Sequence, residues 1–244
     1  MEIRDGFIVG IFNYCDRRCE GCAFTSRCRL FAMMTRFEAQ LDPNLRPVAD
    51  APSLHGEPGP GVPRAVLDLL DAIDGADDPL EPVDDPAPPT TSAPEGIALR
   101  ARADAYRERV WTWLRERGDA GRHDPDDPLD IVTWSSAFIP GKVVGLLAIR
   151  ELTLAWAHDD EDEAVADGSA KVVLLASERA HAAWLALVDG QDLAMSVATP
   201  FIADLVWLHE TLERQFPRAR SFVRPAFDEP DAIAHLRTMD GGAP

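Results

Sequence analysis

Ser169-Ala-Lys-Val-Val-Leu-Leu-Ala-Ser-Glu178-Arg-Ala-His-Ala-Ala-Trp184-Leu-Ala-Leu-Val188 is twenty residues without a glycine or a proline, and its apolar positions fall on every side of a helix. A helix that is apolar all round belongs at the centre of a packed assembly. Val172, Val173, Leu174, Leu175, Ala176, Ala182, Ala183, Trp184, Leu185 and Leu187 are its expected core residues. The remaining elements are read outward from it.

Downstream, residues 200–216 carry Phe201, Ile202, Leu205, Val206, Leu208 and Leu212 on a helical stripe. Pro200 suits a first turn, and Pro217 stops the run. Upstream, residues 96–117 place Leu99, Ala103, Tyr106, Val110, Trp113 and Leu114 on one face and end before Gly118. A polar break over 119–128 leads into a long apolar segment, 129–157. There Pro140-Gly141 predicts a kink or a split into two helices. Residues 158–167 read as an acidic loop or helix end, and residues 228–236 as a short last helix. Four long helices predict a four-helix-bundle-like carboxy-terminal part.

Toward the amino terminus the character changes. Residues 42–94 hold 12 of the 20 prolines, together with acidic pairs at Asp77-Asp78 and Asp84-Asp85. Proline removes amide donors and like charge resists collapse, so this stretch reads as a linker. One short helix is expected within it, over 64–73, where Ala65, Val66, Leu69, Leu70 and Ile73 share a stripe. A helix is expected over 30–41. Phe7 to Phe12 is ambiguous between strand and helix. The organisation is then 1–41, a four-cysteine segment with its helix; 42–95, the linker; and 96–237, the helical part. The fold class is mainly α, with a small amino-terminal metal-binding loop.

That loop contains every cysteine of the chain: Cys15, Cys19, Cys22 and Cys28, spaced C-x3-C-x2-C-x5-C within fourteen residues. Residues 1–14 carry Glu2 and Asp5 and lack the cationic start and small-residue cleavage site of a secretory signal. The expected location is therefore cytoplasmic, where thiols stay reduced and disulfides are disfavoured. Inert buried thiols need no neighbours of their own kind. Four clustered thiols point to a metal site. Zinc sites usually present two short cysteine pairs separated by a longer loop. A single compact arc suits a [4Fe-4S] cluster better, so the expected cofactor is [4Fe-4S], with zinc as the alternative. Arg17, Arg18, Arg27 and Arg29 surround the thiols, and cations lower thiol pKa and offset thiolate charge.

The spacing Cys19-x2-Cys22-x5-Cys28 resembles the iron–sulfur loop of the helix-hairpin-helix DNA glycosylases. The first gap differs, and no helix-hairpin-helix with catalytic lysine and aspartate is visible. The resemblance implies a metal and no activity. Cys15-x3-Cys19-x2-Cys22 also matches radical SAM spacing. Gly21 stands where that family has an aromatic residue, however, and Cys28 could fill the iron position SAM needs open. A barrel would also require strand–helix alternation, which is missing. Tyr14 through Cys28 further resembles the amino-terminal signature of a group of uncharacterised bacterial proteins, which implies no function.

A second metal reading rests on Glu178-x2-His181, the pattern of di-metal carboxylate helices. Asp104, Glu108, Glu151, Asp204, His209 and Glu213 are the possible partners, though none forms a second such motif. The acidic run after His158 reads as a solvated face. No glycine-rich phosphate loop or nucleophile elbow is present.

Acidic residues outnumber basic ones 42 to 24, for a net charge of -18. That disfavours nucleic acid and anionic membrane as partners. No uninterrupted apolar run of the roughly 20 residues of a membrane span is read; the most apolar candidate, 143–157, is broken by Arg150 and Glu151. The expected partner is a protein, redox or otherwise. The expected function is metal binding with a structural or electron-transfer role. The alternatives are a zinc-knuckle interaction module and a di-metal carboxylate oxidoreductase.

Overall fold

A computed structural model describes residues 2–41, 94–118, 124, 126–156 and 160–232 of the chain. The protein is mainly α. The expectations for residues 42–93, including the short helix at 64–73, lie outside the described residues, as do residues 233–236 of the expected last helix. The described residues fall into two compact bodies. One comprises 2–12, 19–41 and 225–232; the other comprises 13–18 and the described residues from 94 to 224.

The first body opens with two short antiparallel strands, β1 (Ile3–Arg4) and β2 (Phe7–Ile8), in register Ile3 to Ile8 and Arg4 to Phe7. Asp5 and Gly6 join them with φ of 52° and 81°. Two consecutive residues at positive φ form the turn that matches strand twist, and Asp-Gly is its sequence signal. This settles the ambiguity at Phe7 in favour of a strand. A helix, α1 (Arg29–Leu41), follows the cysteine loop. Ile8, Ile11, Phe24, Cys28, Ala226 and Ala232 form a small core, with Phe24 edge-on to Phe227 at 5.3 Å. Met33, Met34 and Phe37 of α1 are exposed.

The second body contains α2 (Pro94–Arg117), α3 (Pro128–Trp156), α4 (Asp160–Asp189) and α5 (Met195–Gln215). All four contribute to one apolar core. The α2 stripe is buried as expected at Leu99, Ala103, Tyr106 and Val110. Gly118 then takes φ 68° and its amide reaches the Leu114 carbonyl, a left-handed stop that glycine makes cheaply. Trp184 of α4 stacks on Phe201 of α5 at 4.2 Å, with Trp113 of α2 edge-on to it.

One alternative is decided and two expectations are revised. Pro140 does not split α3, which runs through it as a single helix. Proline removes one amide bond, and the burial of Ile139, Val143 and Leu146 on the same helix outweighs that loss. α5 begins at Met195, five residues before the expected start, so Pro200 sits inside it. α4 is central only along part of its length: Val172, Val173, Leu174, Ala176 and Ser177 are buried, whereas Leu185 is exposed. By length and composition alone, residues 128–151 of α3 would suffice to cross a membrane, with 44% of the apolar window buried. Val132, Ile139, Val143 and Leu146 of this helix belong to the shared core.

Two buried polar groups of the helical core are paired. Asp204 is fully buried and accepts from Arg102 at 2.8 Å and from Arg109. Ser135 spends its one proton on the Val132 carbonyl. Tyr106 is therefore the donor in its 3.0 Å bond to Ser135, and its oxygen accepts from the Trp184 indole. Burial pushes the Tyr106 phenol up to about 12, against smaller opposing effects from Ser135 and Trp184, with Asp204 adding to the rise.

Candidate metal centre

The cysteine segment is held by two different sets of contacts. Residues 19–28 are shaped locally, by 3-10 turns at Cys19–Gly21 and Thr25–Arg27. The Cys22 amide bonds to the Cys19 carbonyl at 3.2 Å, the Cys28 amide to Thr25 at 3.2 Å, and the Ala32 amide to Cys28 at 3.0 Å. The Arg27 guanidinium donates to the Gly6 carbonyl at 3.1 Å, which ties this turn to the hairpin. Cys28 is buried, and the other three cysteines are half-buried.

Residues 13–18, which include Cys15, are instead held by the helices of the second body. Lys142 of α3 donates to the Asn13 carbonyl at 2.8 Å, and the Trp134 indole donates to the Asp16 carbonyl at 3.1 Å. The Tyr14 ring lies 5.0 Å from Phe222, and both rings press on Gly168 of α4. Arg179 pairs with the Asp16 carboxylate at 3.6 Å. Arg17 takes φ 59°, a left-handed bend one residue past Asp16.

Two features suit an anionic sulfur centre. The Phe24 amide points at the Cys22 sulfur at 3.5 Å, a bond that strengthens when the sulfur is charged. Arg18 stacks its guanidinium over Trp134 at 5.4 Å, yet its Nη1 is buried with no hydrogen-bond partner. A buried cationic donor without an acceptor is costly and fits a site that receives negative charge. Lys142 is lowered chiefly by burial; Cys15 acts in the opposite direction and Arg17 adds to the lowering. Among the described residues no group of three or more His, Cys, Asp and Glu side chains is placed to hold a metal ion.

Among the described residues Glu178 and His181 belong to no group of three or more side chains that could hold a metal ion. Glu178 instead meets His209 at 3.1 Å and Arg220 at 2.8 Å. Burial raises its carboxyl, but hydrogen bonds from His209 and Arg220 hold it below the usual range. Arg220 also bonds Glu213 at 2.5 Å. Asp104 pairs with Arg107 at 3.0 Å and lines an open groove with Arg100 and Glu151. Glu108 also meets Arg107, at 3.8 Å. Asp104, Glu108, Glu178 and Glu213 therefore each have an arginine beside them, whereas a di-metal site requires an inward carboxylate cluster.

Sequence reasoning missed Lys142, Trp134, Gly168 and Arg179 as neighbours of the cysteine segment. They lie more than a hundred residues away, with no local signal. Comparison of the chain with family models, curated proteins and solved structures returns no match.

Proposed function

We propose that the chain is a metal-binding protein in which Cys15, Cys19, Cys22 and Cys28 hold one inorganic centre, a [4Fe-4S] cluster in preference to zinc. The observation that carries this reading is the confinement of all four cysteines to one fourteen-residue arc. The amide on the Cys22 sulfur and the unpaired Arg18 nitrogen support it. Because metal ligands are ordered by the metal they bind, the sulfurs need not converge beforehand.

Four protein thiolates close the coordination sphere, so the role is structural or electron transfer, with a protein or redox partner. The body formed by α2 to α5 is read as four-helix-bundle-like, and the thiols require a reducing compartment such as the cytoplasm. The zinc alternative draws on the Cys19-x2-Cys22 pair, whose short turn suits a single ion.

Metal and acid-labile sulfide analysis of anaerobically purified protein tests this. A brown protein with iron and sulfide is expected. One zinc per colourless chain selects the alternative. The absence of both metals, with all four thiols alkylated in the native state, rejects the reading.

A further inference from the structure

Asn13 and Asp16 lie on either side of Cys15, and their carbonyls are each taken by a donor from α3. Lys142 and Trp134 are eight residues apart on that helix, a rise of about 12 Å. Two carbonyls three residues apart span at most about 10 Å. Long helical side chains also lean along the axis, so both donors can reach. The two bonds thus grip the backbone before and after Cys15. The side chain in between is fixed too, because Tyr14 packs on Gly168, where a Cβ would come within 2.6 Å of the Phe222 ring and closer still to Tyr14. The Asp16 carboxylate is held by Arg179. The backbones of Cys19, Cys22 and Cys28 bond locally, Cys22 to Cys19, Cys28 to Thr25 and Ala32 to Cys28.

We propose that Lys142 and Trp134 are positioning residues for the first metal ligand: their hydrogen bonds to Asn13 and Asp16 set the place of Cys15 before metal binds. The proposal rests on the reading of Cys15 as a ligand. Holding a ligand beforehand removes part of the ordering cost of binding. Lys142 and Cys15 interact electrostatically, and the ammonium would offset part of the charge the centre brings.

The test uses the full chain with Trp134→Phe and Lys142→Met combined. The replacements keep an aromatic ring against Phe138 and an unbranched aliphatic stem, and remove the two donors together with the Lys142 charge. In chelator-treated protein, deuterium uptake of residues 13–18 should rise about ten-fold while residues 94–117 and 160–189 keep their protection. Lys142→Arg with Trp134 intact should stay close to wild type. In metal-loaded protein, iodoacetamide should reach Cys15 of the double variant about ten-fold faster than in wild type and ahead of Cys19, Cys22 and Cys28.

Unchanged uptake in the metal-free protein overturns the positioning role. So does a loaded variant in which all four thiols open together or none does. Should the wild-type protein hold neither iron nor zinc, the metal reading falls, and the uptake experiment alone still decides whether α3 holds this segment.

Discussion

Gly168 shows how much one missing methyl group can govern. The Tyr14 and Phe222 rings occupy the space its Cβ would take. Gly168→Ala should therefore destabilise the protein by about 1–3 kcal/mol, the usual penalty for overpacking. Chemical denaturation of Gly168→Ala, Tyr14→Ala and the double variant should show the penalty largely relieved in the double. Tyr106 predicts a pH response. Its folded phenol is raised to about 12 by burial, whereas an unfolded one titrates near 10.0. The unfolded chain thus releases this proton first, and stability present below pH 10 is lost as pH rises toward 12, on the order of 2–3 kcal/mol. Tyr106→Phe should abolish that part of the slope. It should also cost about 1–3 kcal/mol at neutral pH, because the Trp184 indole loses its acceptor. None of these contacts was legible in the sequence. Glycine, tyrosine and serine gain such roles only from what folds against them.

Elements were more legible than contacts. Apolar spacing located α2 to within two residues at its start, and the left-handed Gly118 ends it where expected. The early start of α5 escaped because a local proline rule was weighed without the burial that overrides it. The hairpin was written in Asp5-Gly6, a turn signal passed over in favour of the apolar run beside it. The start of α3 carries a similar signal: the Asp127 carboxylate accepts from the Leu129 amide at 2.8 Å, just before Pro128 in the first turn. Asp127→Ala removes that cap and a favourable charge at the helix start. It should lower stability by about 1 kcal/mol, read from the shift in a urea midpoint.

At the scale of the whole chain, the compact bodies do not coincide with the divisions read from composition. Residues 13–18 go with the long helices, and 225–232 go with the hairpin and the cysteine turns. Composition could mark the proline-rich stretch but not a chain that changes bodies within its cysteine loop. The proposed centre makes a prediction at this scale. Cys22→Ser should release the metal while the circular dichroism of residues 94–215 stays helical, since their core contains no cysteine. Loss of helicity with the metal would show that the long helices depend on the centre. α1 adds one consequence of its own. Met33 and Met34 stand outward, next to Phe37, on a helix that directly follows Cys28. Thioethers in the open are oxidised to polar, chiral sulfoxides. A sample aged in air should therefore gain oxygen atoms on the tryptic peptide spanning this pair, and a reductase treatment should remove them again.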